Sequence, residues 1–184
     1  MEVEAAKIPG LLVIDPVVHG DARGFFLETY SRDRYAAAGI DEEFVQDNLS
    51  WSRRGILRGF HFQHPGGQGK LCTVLDGEVF DVAVDVRMGS PTFGQWAGTT
   101  LSSENKRQLY IPPGFAHGFC VLSERALFSY KCTAFYSAEN ELGVLWNDDD
   151  IGVEWPIDAP LLSDKDRANP KLRDIPPDRL PRYA

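Results

Sequence analysis

Between Gly55 and Gly77 apolar and polar residues alternate, and a period of two commits this stretch to extended strands with one buried face. Strict alternation from Leu57 places Arg58, Phe60 and Phe62 on one face and Leu57, Gly59, His61 and Gln63 on the other. Gly59, having no side chain, is then expected to leave room above the sheet beside His61. The turn-rich His64-Pro65-Gly66-Gly67-Gln68-Gly69 follows, and a second strand runs from Lys70 to a turn at Asp76-Gly77. A hairpin of this kind brings His61 and Lys70 into one pocket. An isolated histidine is commonly a hydrogen-bonded structural residue. A histidine, an arginine and a lysine converging beside a glycine gap point instead to a site.

The rest of the chain repeats the same vocabulary. Ile8 to Ile14, Phe25 to Tyr30, Phe44 to Ser50, Glu78 to Arg87, Trp96 to Leu101 and Leu109 to Ile111 read as strands. Phe119 to Leu122 and Ala126 to Thr133 read as a pair of strands. Ser31 to Ala38 is the one convincing helix, with Ser31 as cap, Asp33 in its first turn and Gly39 at its end. Residues 170–184, with prolines at 170, 176, 177 and 181, are expected to wrap the surface as the tail of a single domain spanning 1–184. Many short strands cut by Gly, Pro, Asn and Asp give an all-β barrel or sandwich. Spacing alone leaves lipocalin, immunoglobulin-like and jelly-roll arrangements open.

Composition narrows the function classes. A chain of 184 residues, 43% hydrophobic, is long enough for one sizeable core. A net charge of −8 argues against non-specific binding to nucleic acid or to anionic membranes, although an anionic ligand remains open to a local cluster of basic residues. Nothing approaches the ~18 consecutive apolar residues of a membrane-spanning helix. Glu2 and Glu4 stand where a secretory signal carries basic residues. Cys72, Cys120 and Cys132 lie in apolar runs without metal-ligand spacing, which reads as reduced core thiols in a cytoplasmic protein.

Two motifs choose the jelly roll. Gly55 to His61 resembles the first cupin motif, and Pro112-Pro113-Gly114-Phe115-Ala116-His117 resembles the second, Pro-x-Gly-x-x-His. Cupins are double-stranded jelly rolls whose metal-bearing members use two histidines and a glutamate from the first motif and a histidine from the second. Here Gln63 stands at the second histidine position and Lys70 at the acidic one. An ammonium has no lone pair to offer, and a neutral amide is a poor substitute for imidazole at a transition metal. The pocket is therefore expected to be metal-free.

A second resemblance covers nearly the whole chain. Asp21-Ala22-Arg23-Gly24-Phe25-Phe26-Leu27-Glu28, Gln46-Asp47-Asn48, Leu57 to Gln63, Ile111 to Phe119, Tyr130-Lys131-Cys132-Thr133, Trp146-Asn147-Asp148 and Leu162 to Asp166 are, in that order, similar to the dTDP-4-dehydrorhamnose 3,5-epimerase family. Phe60, Phe62 and Asp149 are small departures. The resemblance implies a cofactor-independent epimerase acting on a dTDP-4-keto-6-deoxyhexose, usually as a homodimer. Inverting a carbon beside a ketone needs a base on one face, an acid on the other, and a group to hold the enolate oxygen. It implies His61 as base, Asp166 as its partner carboxylate, Tyr130 as acid and Lys70 as the enolate-stabilising cation. Arg23 and Arg58 suit two phosphates because arginine offers forked donors, with His117 near the sugar or phosphate. Gln46 and Asn48 share a strand face and reach sugar or base atoms, with Asp47 in the same matched block. Glu28 would accept from the thymine N–H, and Phe26 or Tyr136 would stack on the base. Glu141 and Lys165 match further ligand-contact positions. The Arg23–Glu28 segment resembles one contributed to the neighbouring subunit's site. A single-site C3 or C5 epimerase, a ketoisomerase of similar fold and a non-enzymatic sugar-nucleotide binder are the alternatives.

Overall fold

The computed structural model describes residues 1–183. In chain order its elements are β1 (Glu2–Ala5), β2 (Leu12–Asp15), β3 (Val18–Asp21), β4 (Gly24–Leu27), α1 (Arg32–Ala37), β5 (Gln46–Arg53), β6 (Leu57–Gln63) and β7 (Lys70–Asp76). They continue as β8 (Glu78–Asp85), β9 (Trp96–Ser102), β10 (Gln108–Ile111), β11 (Phe115–Val121), β12 (Arg125–Cys132), β13 (Glu141–Gly143) and α2 (Asp164–Arg167). A six-stranded sheet in the order β1-β2-β10-β7-β12-β5 faces a five-stranded sheet in the order β13-β6-β11-β8-β9, and β3-β4 form a separate ribbon. The expected jelly roll is what forms. No helix among the described residues is long and apolar enough to cross a membrane.

Two expected pairings do not occur. β6 lies in the five-stranded sheet and β7 in the six-stranded one, so His61 and Lys70 face each other across the barrel rather than along a hairpin. β11 and β12 are likewise in different sheets, so the strands around Phe119 and Ala126 are not a pair. The alternating pattern states which face of a strand is buried, and carries no information about which strand lies beside it. At the N-terminus the early strand starts only at Leu12, after a turn at Gly10, and pairs with β1, which the apolar pattern did not announce. Ser31 occupies the N-cap position of α1, but its side chain makes no capping bond.

Three apolar layers follow from the alternation. Val79, Ala83, Phe115, Phe119 and Val121 of one sheet meet Cys72, Val74, Leu109, Ile111 and Phe128 of the other. Outside the five-stranded sheet, Phe60, Val82, Val84 and Ala116 are covered by Leu172, Ile175 and Leu180 of the C-terminal segment. Those three are at most 5% exposed, and burying each contributes about 1.5–3 kcal/mol. Outside the six-stranded sheet, Ile14, Leu71 and Tyr110 pack against Tyr35 of α1.

The register of β6 against β11 decides the site. His117 pairs with His61 and Phe119 with Arg58, so β6 carries one extra residue in between. This bulge breaks the strict alternation and turns Arg58 to the inner side with His61, away from Phe60 and Phe62. Gly59 sits in the bulge at φ 128, and the room above it is taken by β11 rather than left open. A Cβ there would lie 2.5 Å from the Cα of Gly118 and 2.8 Å from the carbonyl oxygen of His117. Gly59→Ala is therefore expected to cost about 2–5 kcal/mol through strain and overpacking. Urea denaturation measures it, and a loss below about 1 kcal/mol would contradict this close approach.

Candidate active site

Between the sheets lies a cavity of about 530 Å³. Arg58, His61 and Gln63 of β6 and His117 and Phe119 of β11 line one wall, and Lys70 of β7 and Tyr130 of β12 line the other. Glu141 of β13, with Lys165 and Asp166 of α2, closes one side.

The four-residue α2 exists to place Asp166. Ser163 caps it, its Oγ accepting from the backbone N–H of Asp166 at 3.1 Å. Just upstream, the backbones of Leu161 and Leu57 are tied by a hydrogen bond of 3.0 Å, and Leu161 donates to Gly55 at 2.7 Å. That stitching registers the helix against the start of β6, and Asp166 meets His61 Nε2 through Oδ1 at 2.6 Å. In the neutral ring Nε2–H donates to this carboxylate, which leaves the lone pair on Nδ1. Burial pushes the Asp166 carboxyl up. Bonding to the His61 ring, to Ser163 and to the Gly59 backbone outweighs it and holds the group below the ordinary range.

Across the cavity Lys70 is 8% exposed, and its ammonium donates to Gln68 Oε1 at 3.3 Å. Burial pulls its pKa down, against the pull of nearby Cys132, Cys72, Glu141 and Asp81. Burial also pushes the Tyr130 phenol up to about 12, so it stays protonated at neutral pH. Arg58 donates through Nε to Ser52 Oγ at 3.0 Å, which holds the side chain and leaves its terminal nitrogens unspent on Ser52. On the rim, Glu141 Oε2 accepts from Tyr136 at 2.7 Å and from Lys165 at 2.5 Å.

The former metal positions have new work. Gln63 donates to the carbonyls of Gly66 at 2.6 Å and Phe135 at 3.2 Å, and accepts from the Ser137 N–H at 2.9 Å. It clamps two loops at the cavity mouth. The donor atoms of Cys72, Asp81 and His117, all buried, lie within 4.8 Å of one another, close enough to share an ion. His117 Nε2 is already bonded to Asp81 Oδ1 at 2.5 Å, and burial pushes the Cys72 thiol well up. Beside the Lys70 ammonium, this group is built as a hydrogen-bond network.

Several expected binding residues lie outside the cavity. Arg23 stands 90% exposed at the tip of the β3-β4 ribbon, paired with Asp21. Phe26 and Glu28 border a separate hollow of about 270 Å³ with Arg34. Asp47 is on the outer face of β5, paired with Lys131 at 3.0 Å. Gln46 and Asn48 share the other face as expected but bond to each other at 3.0 Å, and Gln46 also accepts from the Tyr136 N–H. Ser52, Gln68 and Asp81 were missed. Only Asp81 carried a signal, an acid in the middle of a strand between Val79 and Ala83.

The dTDP-4-dehydrorhamnose 3,5-epimerase family model matches residues 5–174. The chain belongs to this family. Its relatives include the dTDP-4-dehydrorhamnose 3,5-epimerases of Shigella flexneri, 55% identical, and Pseudomonas aeruginosa, 53% identical. Each alignment covers 95% of this chain and 97% of the relative. The crystal structure of the dTDP-6-deoxy-D-glucose-3,5-epimerase from Legionella pneumophila, in complex with dTDP-4-keto-L-rhamnose, is 51% identical and superposes with a TM-score of 0.97. That comparison covers 100% of this chain and 98% of the other.

The buried pair links this epimerase's site to its stability. Because the folded Asp166 carboxyl titrates below the ~3.9 of an unfolded aspartate, its contribution is present above that value and lost as the pH falls through the folded one. The stability advantage of wild type over Asp166→Asn is expected to fall away below pH ~4. Urea titrations of both proteins at pH 7 and pH 3 measure it; an advantage undiminished at pH 3 would contradict the assignment.

Proposed function

We propose that this epimerase inverts C3 and C5 of dTDP-4-dehydro-6-deoxy-D-glucose to give dTDP-4-dehydro-L-rhamnose. The observation that carries the reading is the His61–Asp166 pair facing Lys70 and Tyr130 across one cavity, in a chain of this family. The relative bound to dTDP-4-keto-L-rhamnose supports the same ligand class. His61 Nδ1 takes the proton from the carbon beside the C4 ketone, and the C–H electron pair moves into an enolate whose charge rests on O4. Asp166 stabilises the imidazolium that forms. The Lys70 ammonium, 8% exposed, stabilises O4 from a buried position, where a charge acts more strongly than in bulk solvent. Tyr130 then gives its proton to the carbon from the opposite face and recovers one from solvent, while His61 releases the proton it took to solvent and is again a base for the second carbon. The C4 carbonyl is the electron sink, so no cofactor enters.

Arg58, steadied by Ser52, is the binding group for the diphosphate, and Tyr136, Glu141 and Lys165 serve the ligand at the rim. Arg23, Phe26 and Glu28 serve the site of a second subunit in a homodimer. Two exposed apolar regions support that assembly. Phe25 and Phe26 are 60% and 70% exposed on the ribbon, and Leu49, Trp51 and Leu75 are exposed on the outer face of the six-stranded sheet. The free, buried thiols of Cys72, Cys120 and Cys132 suit the reducing cytoplasm.

Incubation with substrate in D₂O tests the chemistry. The wild type is expected to place deuterium at both C3 and C5; deuterium at one carbon alone would make it a single-site epimerase. Tyr130→Phe should continue to exchange while losing inversion, and His61→Asn should lose both by about 10²–10⁴-fold. Inversion by Tyr130→Phe at the wild-type rate would reduce Tyr130 to a wall of the pocket.

Subunit mixing tests the shared site. Homodimers of Arg23→Ala bind substrate weakly, and homodimers of His61→Asn lack the base. A mixed dimer holds one site with both residues intact and is expected to regain activity on mixing. No recovery, with subunit exchange shown by mass spectrometry, would place Arg23 outside the neighbour's site.

A further inference from the structure

His61 is not the only imidazole in the cavity tied to a carboxylate. Its cross-strand partner His117, 7% exposed, holds Asp81 Oδ1 through Nε2 at 2.5 Å. Asp81 lies on β8 at an inward position, between Val79 and Ala83 of the inter-sheet core, and is fully buried. Its second oxygen, Oδ2, is buried without a hydrogen-bond partner among the described residues. A buried carboxylate with an unmatched oxygen is costly unless a positive charge compensates it nearby. Cys72 bridges the gap to one. Its sulfur is within 4.8 Å of the Asp81 and His117 donor atoms, and Lys70 lies two residues along the same face of β7.

We infer that Asp81 is a positioning residue for the reaction, fixing the His117 ring in the cavity wall and supplying the fixed negative charge that keeps Lys70 an ammonium. The inference rests on Lys70 being the group that holds the enolate. The other anions facing the lysine are already engaged. Glu141 of β13 is bonded to Lys165 and Tyr136, and Asp166 of α2 to His61. Cys72 on its own strand, with Cys132 and Tyr130 on β12, are pushed up by burial and are uncharged at neutral pH. The remaining groups are basic, namely Arg58 and His61 of β6, His117 of β11 and Lys165 of α2, and none of them favours the charged lysine. That leaves Asp81, whose Oδ2 alone has no hydrogen-bond partner among the described residues, as the buried counter-charge, and after Glu141 its field adds to those that raise the Lys70 pKa against burial.

Turnover as a function of pH tests this. Because the reaction needs protonated Lys70, activity is lost as the pH rises through the lysine pKa. Asp81→Asn keeps the shape of the side chain and an acceptor for His117 but removes the charge. It is expected to move the alkaline limb of kcat acidward by ~1 unit, with KM within about threefold of wild type. An unmoved limb with near-normal kcat would overturn the inference, because a purely structural role would lower the melting temperature and leave the limb in place. Tyr130, near 12, titrates above this window. If Asp81→Asn does not fold, Asp81→Glu, which keeps the charge, is expected to retain the wild-type limb; a limb displaced by a full ~1 unit would overturn the inference. Lys70→Met separates the two readings. It is expected to lose turnover by about 10²-fold or more. Wild-type turnover in that variant would remove Lys70 from the mechanism and the inference with it, whatever Asp81→Asn shows.

Discussion

The backbone contact between Gly59 and Gly118 is the constraint on which the site depends. Two strands approach too closely there for any side chain, and the extra residue of β6 turns Arg58 inward beside His61. An unbroken strand would have sent the arginine to the far side of the sheet with Phe60. The bulge thus converts a regular ladder into a surface offering an imidazole and a forked cation to the same cavity. The cost is a local one, borne by the core outside the sheet, into which Phe60 and Phe62 of β6 pack.

A cavity lined by Lys70, Arg58, His61 and His117 is unusual in a chain of net charge −8, and paired carboxylates explain how it persists. Each inner imidazole has its own carboxylate, Asp166 or Asp81, so negative groups are interleaved with the basic ones. Where a cupin metal would sit, Lys70 provides a single positive charge on a flexible stem, and Gln63 has become a clamp for the loops at the mouth.

The strands themselves were legible. Glu78 to Arg87 is β-branched and apolar, Ala126 to Thr133 alternates apolar with polar residues, and strands form over most of both. Sheet partners were not legible, because alternation records burial and not neighbours, and the placing of Lys70 and His61 on opposite walls of one cavity is a property of topology. The inward turn of Arg58 was hidden for a related reason, since a one-residue bulge leaves no trace in the pattern except its glycine. Helix α2 is too short for a helical period, although Ser163 followed three residues later by Asp166 is the spacing of a capping motif. The resemblance that singled out Asp166, Tyr130 and Lys70 found residues that the fold gathers around one cavity. The same resemblance named Arg23, Phe26, Glu28 and Asp47, which stand apart from it within one subunit.

The docking of α2 has a consequence in time as well as in space. His61 and its carboxylate are 105 residues apart in the chain, and nothing nearer to the histidine bonds its Nε2. During synthesis on the ribosome most of the barrel's strands emerge before Asp166 is made. A nascent barrel therefore has its imidazole in place while the group that orients it is still absent. The His61–Asp166 pair is therefore completed late, when a four-residue helix settles against β6.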